Sequence, residues 1–120
     1  MKRDMDLVRD LLMALEKQDS YDGFTDLSIE GYSEDQISYH VLLIHEAGLI
    51  EAMDMSTFGG PSWKPVRLRW EGHEFLDASR DDSRWSAAKA TLAKAGGGLA
   101  FEVLKLLLIS SLKQAVGLAT

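Results

Sequence analysis

The 120-residue chain contains no cysteine. Disulfides, thiolate metal sites and cysteine nucleophiles are excluded together. A cysteine-free chain suits a reducing compartment, and the cytoplasm is the expected location. Positive charge is also short: 13 Lys and Arg stand against 19 Asp and Glu, a net charge of −6. The whole deficit lies in residues 1–37, with four basic and ten acidic side chains, while the remainder is balanced. A broad basic surface for nucleic acid is therefore absent, which leaves only a local basic patch for that role. Long apolar runs are missing as well. Leu106 to Leu112 is uncharged, but Lys105 and Lys113 bound it. A bilayer span needs about 20 apolar residues, so no membrane association is expected. The first residues show no signal-peptide pattern.

Catalytic signatures are missing too. His40, His45 and His73 are the three histidines. The first two are five residues apart, roughly 140° around a helix, so they do not share a face for a metal. No HExxH, GxSxG, phosphate-loop or dinucleotide pattern occurs, and Gly96-Gly97-Gly98 lacks the lysine and preceding strand a phosphate loop requires. The expectation is a protein that is not an enzyme and holds neither cofactor nor metal.

Apolar types make up 46% of the chain and charged types 27%, enough for a core in one domain-sized chain. Met5, Val8, Leu11, Leu12 and Leu15 recur at spacings of three and four, which predicts a helix over residues 4–18. Phe24 to Glu30 suits either a short strand or a helical turn. Ser33-Glu34-Asp35-Gln36 has capping-box spacing, so a helix starts near Ser33, buries Ile37, Val41, Ile44 and Ala47, and ends at Gly48. Leu49–Met55 and Val66–Trp70 read as strands, with Val66, Leu68 and Trp70 on one face and Arg67 and Arg69 on the other. Helices follow over Glu71–Ser79, from Asp82 or Ser83 onward, and over about 100–116. The fold class expected is α+β and mostly helical: a winged helix-turn-helix-like domain over residues 1–95, with extra C-terminal helices and an apolar helix over 96–120.

Ile37 to Ile50, entered through Gly31-Tyr32-Ser33, resembles the recognition-helix segment of ArsR- and MarR-like winged-helix repressors. Tyr39, Leu42 and His45 stand where those segments carry cations, which removes up to three phosphate contacts. A broader resemblance rests on Met1–Leu7, Glu30–Ser33, Tyr39-His40, Glu46–Ile50, Trp70–Asp77 and Arg80–Trp85. These segments look like the bacterial and phage-associated family called domain of unknown function 2513, and they imply a winged-helix-like fold.

The residues expected to touch double-stranded DNA are Ser38, Tyr39 and His40 on the helix and Lys64, Arg67 and Arg69 on the wing. The bland alternative pairs the wing arginines with Glu51 and Asp54 across the hairpin. In the last helix, Leu106 to Ile109 point all round the axis, so a homo-oligomer is expected through residues 99–118, with Leu104, Leu107, Leu108 and Leu112 at the interface. Two functions follow: a DNA-binding transcriptional regulator, or a protein-interaction module on the same scaffold.

Overall fold

The computed structural model describes residues 1–94 and 101–117. The element order is α1 (Met5–Glu16), α2 (Glu34–Glu46), β1 (Ile50–Asp54), β2 (Trp63–Leu68), α3 (Trp70–Ser79), α4 (Asp82–Lys94) and α5 (Phe101–Ala115). The architecture is α+β and mostly helical, with one two-stranded antiparallel sheet. The chain forms two compact units, Met1–His73 and Glu74–Thr120. The boundary expected at residues 95 and 96, and the triple glycine beside it, lie outside the described residues.

In the first unit, α1 buries Leu7, Val8, Leu11, Leu12 and Leu15 along one stripe. Asp4 caps it, as its carboxylate accepts from the amides of Asp6 and Leu7. The capping box of α2 is present in both directions: Gln36 N–H donates to Ser33 Oγ, and Ser33 N–H to Gln36 Oε1. The buried stripe of α2 is Ile37, His40, Val41 and Ile44, so His40 joins it and Ala47 is exposed. Ala47 follows the last helical turn and caps it rather than continuing the face. Gly48 then turns the chain at φ +78, where a side chain is strained.

No helix stands between Glu16 and Glu34. Residues 24–29 carry no regular secondary structure, and Thr25 N–H donates to Pro65 C=O at 2.8 Å. The helix that precedes the recognition helix in a helix-turn-helix is thus not formed in this chain.

The hairpin also departs from the alternation read in the sequence. The register runs Ile50–Leu68, Glu51–Arg67, Ala52–Pro65, Met53–Lys64 and Asp54–Trp63, with the irregularity between Glu51 and Ala52. Val66 is therefore the extra residue of a bulge. The bulge changes the burial period, so Pro65 and Leu68, three apart, face the core. Strand β2 starts at Trp63, and Trp70 belongs to α3, where it is 76% exposed. Close packing holds the start of α3 in place, since a Cβ on Gly72 would collide with the carbonyl oxygen of Leu49.

In the second unit, Phe75 and Leu76 are fully buried, and Phe75 meets Trp85 edge-to-face at 6.2 Å. The cap of α4 is Asp81, which accepts from Arg84 N–H, rather than Asp82 or Ser83. Helix α5 packs along α4.

Candidate functional site

The N-terminal end of α1 and the first turns of α2 are joined by one network. Asp4 N–H donates to His40 Nε2 at 2.8 Å. A backbone amide only donates, so Nε2 is the acceptor and the ring proton sits on Nδ1. That proton is given to Gln36 C=O at 2.8 Å. Meanwhile Asp4 Oδ1 caps α1 and its Oδ2 accepts from the Tyr32 hydroxyl at 2.9 Å. The Tyr32 phenol is pushed above its ordinary range by this bond first, and then by burial and the charges of Asp4, Asp10 and Asp6. His40 is 1% exposed with both ring nitrogens occupied. It cannot reach a DNA groove; its place on the helix face that packs inward spends it on holding α1 to α2.

Ser38 is half-buried, and its Oγ accepts from Trp63 N–H at 2.8 Å, fastening α2 to the start of β2. Trp63 lies over His45, with ring centroids 5.4 Å apart and planes at 30°. Its ring therefore packs on its own scaffold. Tyr39 lies on the outer side of α2 and meets His40 edge-to-face at 5.8 Å.

The wing cations are mostly paired. Lys64 Nζ meets Asp26 Oδ1 at 2.7 Å, and Arg67 meets Glu51 Oε1 at 2.7 Å while also donating to Leu68 C=O. The hairpin register explains the second pair, because Glu51 and Arg67 are directly opposed. Asp54 takes no arginine. Its carboxyl is held below the usual range by the hydrogen bonds Ser56 gives it from its hydroxyl and its amide. Arg69 is exposed and has no ion pair among the described residues.

Between residues 26–28, the first turns of α2 and the loop before β2 runs an open groove of about 600 Å³. Asp26, Glu34 and Asp35 supply three carboxylates, Lys64 the one cation, and Pro61 and Trp63 the apolar wall. Of the six residues expected at DNA, Ser38 and Lys64 line this groove, Tyr39, Arg67 and Arg69 lie outside it, and His40 is buried. None of these three carboxylates was among the residues expected at DNA. Their convergence depends on the path of residues 24–29, which the Thr25 N–H bond to Pro65 C=O ties to β2.

The expected oligomer seam divides in two. Leu104 and Leu108 are buried within the chain, at 1% and 0% exposure, because the face of α5 they share packs inside this molecule. Leu107 and Leu112 are half-buried, and Leu106 is the exposed leucine of α5 at 65%.

A family model described as "Hypothetical protein (DUF2513)" matches residues 2–98. The chain belongs to the DUF2513 family. The DUF2513 match runs from before α1 to beyond α4, so it contains the Asp4–His40 network and the groove and stops short of α5. An "Uncharacterized protein" of Haemophilus influenzae (strain ATCC 51907 / DSM 11121 / KW20 / Rd) is 38% identical over 111 residues, which is 88% of this DUF2513 chain and 90% of that protein. No solved structure matches the DUF2513 chain. No helix among the described residues is long and apolar enough to cross a membrane.

Proposed function

We propose that this DUF2513 chain is a protein-interaction module on a reduced winged-helix scaffold, and that the face between α2 and the hairpin receives a cationic protein segment rather than DNA. One observation carries the reading: the groove beside α2 is lined by Asp26, Glu34 and Asp35 against Lys64, and Lys64 is already paired with Asp26. Phosphates approaching it meet repulsion, whereas a lysine- or arginine-bearing segment meets complementary charge. The order of helix, irregular stretch, helix and hairpin supports a winged-helix-like scaffold. It is reduced because residues 17–33 contain no helix.

Arg69 supports the rival reading, a DNA-binding regulator. It is exposed, carries no ion pair among the described residues, and adjoins the exposed Trp70. A single arginine supplies only one phosphate contact, far fewer than the about 6–10 of a strongly salt-dependent binder.

Fluorescence anisotropy separates the two. A labelled random duplex at about 50 and 200 mM salt is expected to show no binding. A labelled arginine-rich nonapeptide is expected to bind, and to release when Glu34→Lys and Asp35→Lys are combined. Duplex binding at the lower salt, with a slope that flattens in the Arg67→Ala plus Arg69→Ala variant, overturns the proposal in favour of the regulator.

A further inference from the structure

The groove beside α2 spends most of its polar side chains inside the molecule. The Tyr32 hydroxyl donates to Asp4, Ser38 accepts from Trp63 N–H, and Lys64 is paired with Asp26. Glu34 and Asp35 make no ion pair among the described residues. Two exposed carboxylates on the first turn of α2 attract a cation of any shape, so they set the charge of an occupant and little else. Selectivity beyond charge has to come from apolar surface. Leu27, Ile37, Trp63 and Pro65 line the groove, but each is buried or half-buried, which leaves little of it to an occupant.

Phe58 is the exception. Thr57, Gly59 and Gly60 on either side of it line the groove, which puts Phe58 at the mouth. Its ring is fully exposed and meets no other ring among the described residues. The loop beneath it is held by its own bonds. Thr57 and Gly60 exchange both backbone hydrogen bonds at 3.0 Å, Gly59 N–H donates to Thr57 Oγ1 at 3.1 Å, and Ser62 N–H donates to Ser56 Oγ at 2.9 Å. These bonds fix the base of the ring and leave the ring in water. Met55, 37% exposed, and Pro61 stand on the two arms of the same loop. A partner that covers such a ring removes apolar surface from water at little cost in entropy, because the loop is ordered beforehand.

Resting on the reading of this groove as the receptor of a cationic segment, we infer that Phe58 is the anchor that selects among such segments, and that the segment it selects carries aliphatic side chains beside its cations. The cations face Glu34 and Asp35, and an aliphatic side chain covers the Phe58 ring. Charge argues against other covers. A second copy brings a chain of net charge −6 to an acidic site. An anionic lipid surface approaching Phe58 also approaches the exposed carboxylates of Asp54, Glu34 and Asp35.

Two labelled nonapeptides of equal charge test this by fluorescence anisotropy, one alternating arginine with leucine and the other arginine with serine. The unmodified chain is expected to bind the arginine–leucine peptide about tenfold or more tighter. Phe58→Ser is expected to bring the two affinities within about twofold and to leave the arginine–serine peptide bound as before. Its thermal melt is expected to match that of the unmodified chain, since an exposed side chain carries little stability. Leu106→Ser, at an exposed leucine of α5, is expected to keep the preference. Equal affinities in the unmodified chain, or a preference that survives Phe58→Ser, overturn the inference and leave the cationic groove standing. A preference lost equally in Leu106→Ser also overturns it. Binding of neither peptide overturns the inference together with the reading beneath it. In sedimentation velocity without peptide, a mass that rises with concentration and falls back in Phe58→Ser overturns it in favour of a second copy. Vesicles of neutral phosphatidylcholine that bind the unmodified chain but not Phe58→Ser overturn it in favour of a lipid surface.

Discussion

Replacing His40 with leucine tests the join between α1 and α2. Leucine keeps an apolar side chain of comparable size at a site that is 1% exposed, so the cavity term is small. What disappears is polar. Asp4 N–H loses the acceptor it holds at 2.8 Å, and Gln36 C=O loses its second donor, leaving it inside the helical ladder. A partly buried donor left without a partner costs about 1–3 kcal/mol, and the lost secondary bond to Gln36 adds about 0.5 kcal/mol. His40→Leu should therefore destabilise the first unit by about 1.5–3.5 kcal/mol, a drop of about 4–8 °C in Tm for each kcal/mol in a unit of this size. Urea unfolding followed by tryptophan fluorescence measures it, with Glu46→Gln on the exposed end of α2 as the control, expected within about 0.5 kcal/mol. If His40→Leu costs no more than the control, the network carries no stability, and the account of why His40 is buried fails.

Three further outcomes follow from the same structure. The Asp10 carboxyl is raised by burial first and then by Asp6, so ionising it opposes folding; Asp10→Asn should stabilise the chain by about 0.3 kcal/mol at neutral pH. That gain should disappear as pH falls through the raised folded value, where wild-type Asp10 takes up its proton; urea midpoints across pH measure it. Gly72→Ala places a methyl against Leu49 C=O and Leu68, and should cost about 3 kcal/mol or more. Gly48→Ala meets open space and strains only its φ of +78, which should cost about 1–2 kcal/mol, and thermal melts of the pair should rank them in that order. Finally, Tyr32 has its phenol raised by the bond to Asp4, so the stability from that bond is complete below the unfolded phenol range and is lost as pH rises through the folded value. Asp4→Ala should bring the ultraviolet titration of Tyr32 back toward an ordinary phenol and remove about 1 kcal/mol of capping.

Local chemistry was legible wherever one short segment sufficed to specify a structure. Spacing of apolar residues marked α1, the capping box marked the start of α2, and Gly48 marked its end. Membership of the DUF2513 family was legible in the sequence too, and the family model matches residues 2–98. The candidate site was legible only in part. Ser38 and Lys64 do border the groove, but as a strut for β2 and as a partner of Asp26. A helical wheel cannot tell a half-buried serine that braces a strand from one that faces a ligand.

Sequence alone determined that this protein has a core, an acidic N-terminal third, an amphipathic first helix and a hairpin followed by helices, because periodicity, capping and composition act over a few residues. Tertiary structure decided which polar groups are spent. It buried His40 against Asp4, opposed Arg67 to Glu51, and put Val66 into a bulge that turned Pro65 rather than Val66 to the core. These outcomes depend on contacts between residues far apart in the chain, where the cost of burying a donor or a charge is settled by whatever partner the fold brings within about 3 Å.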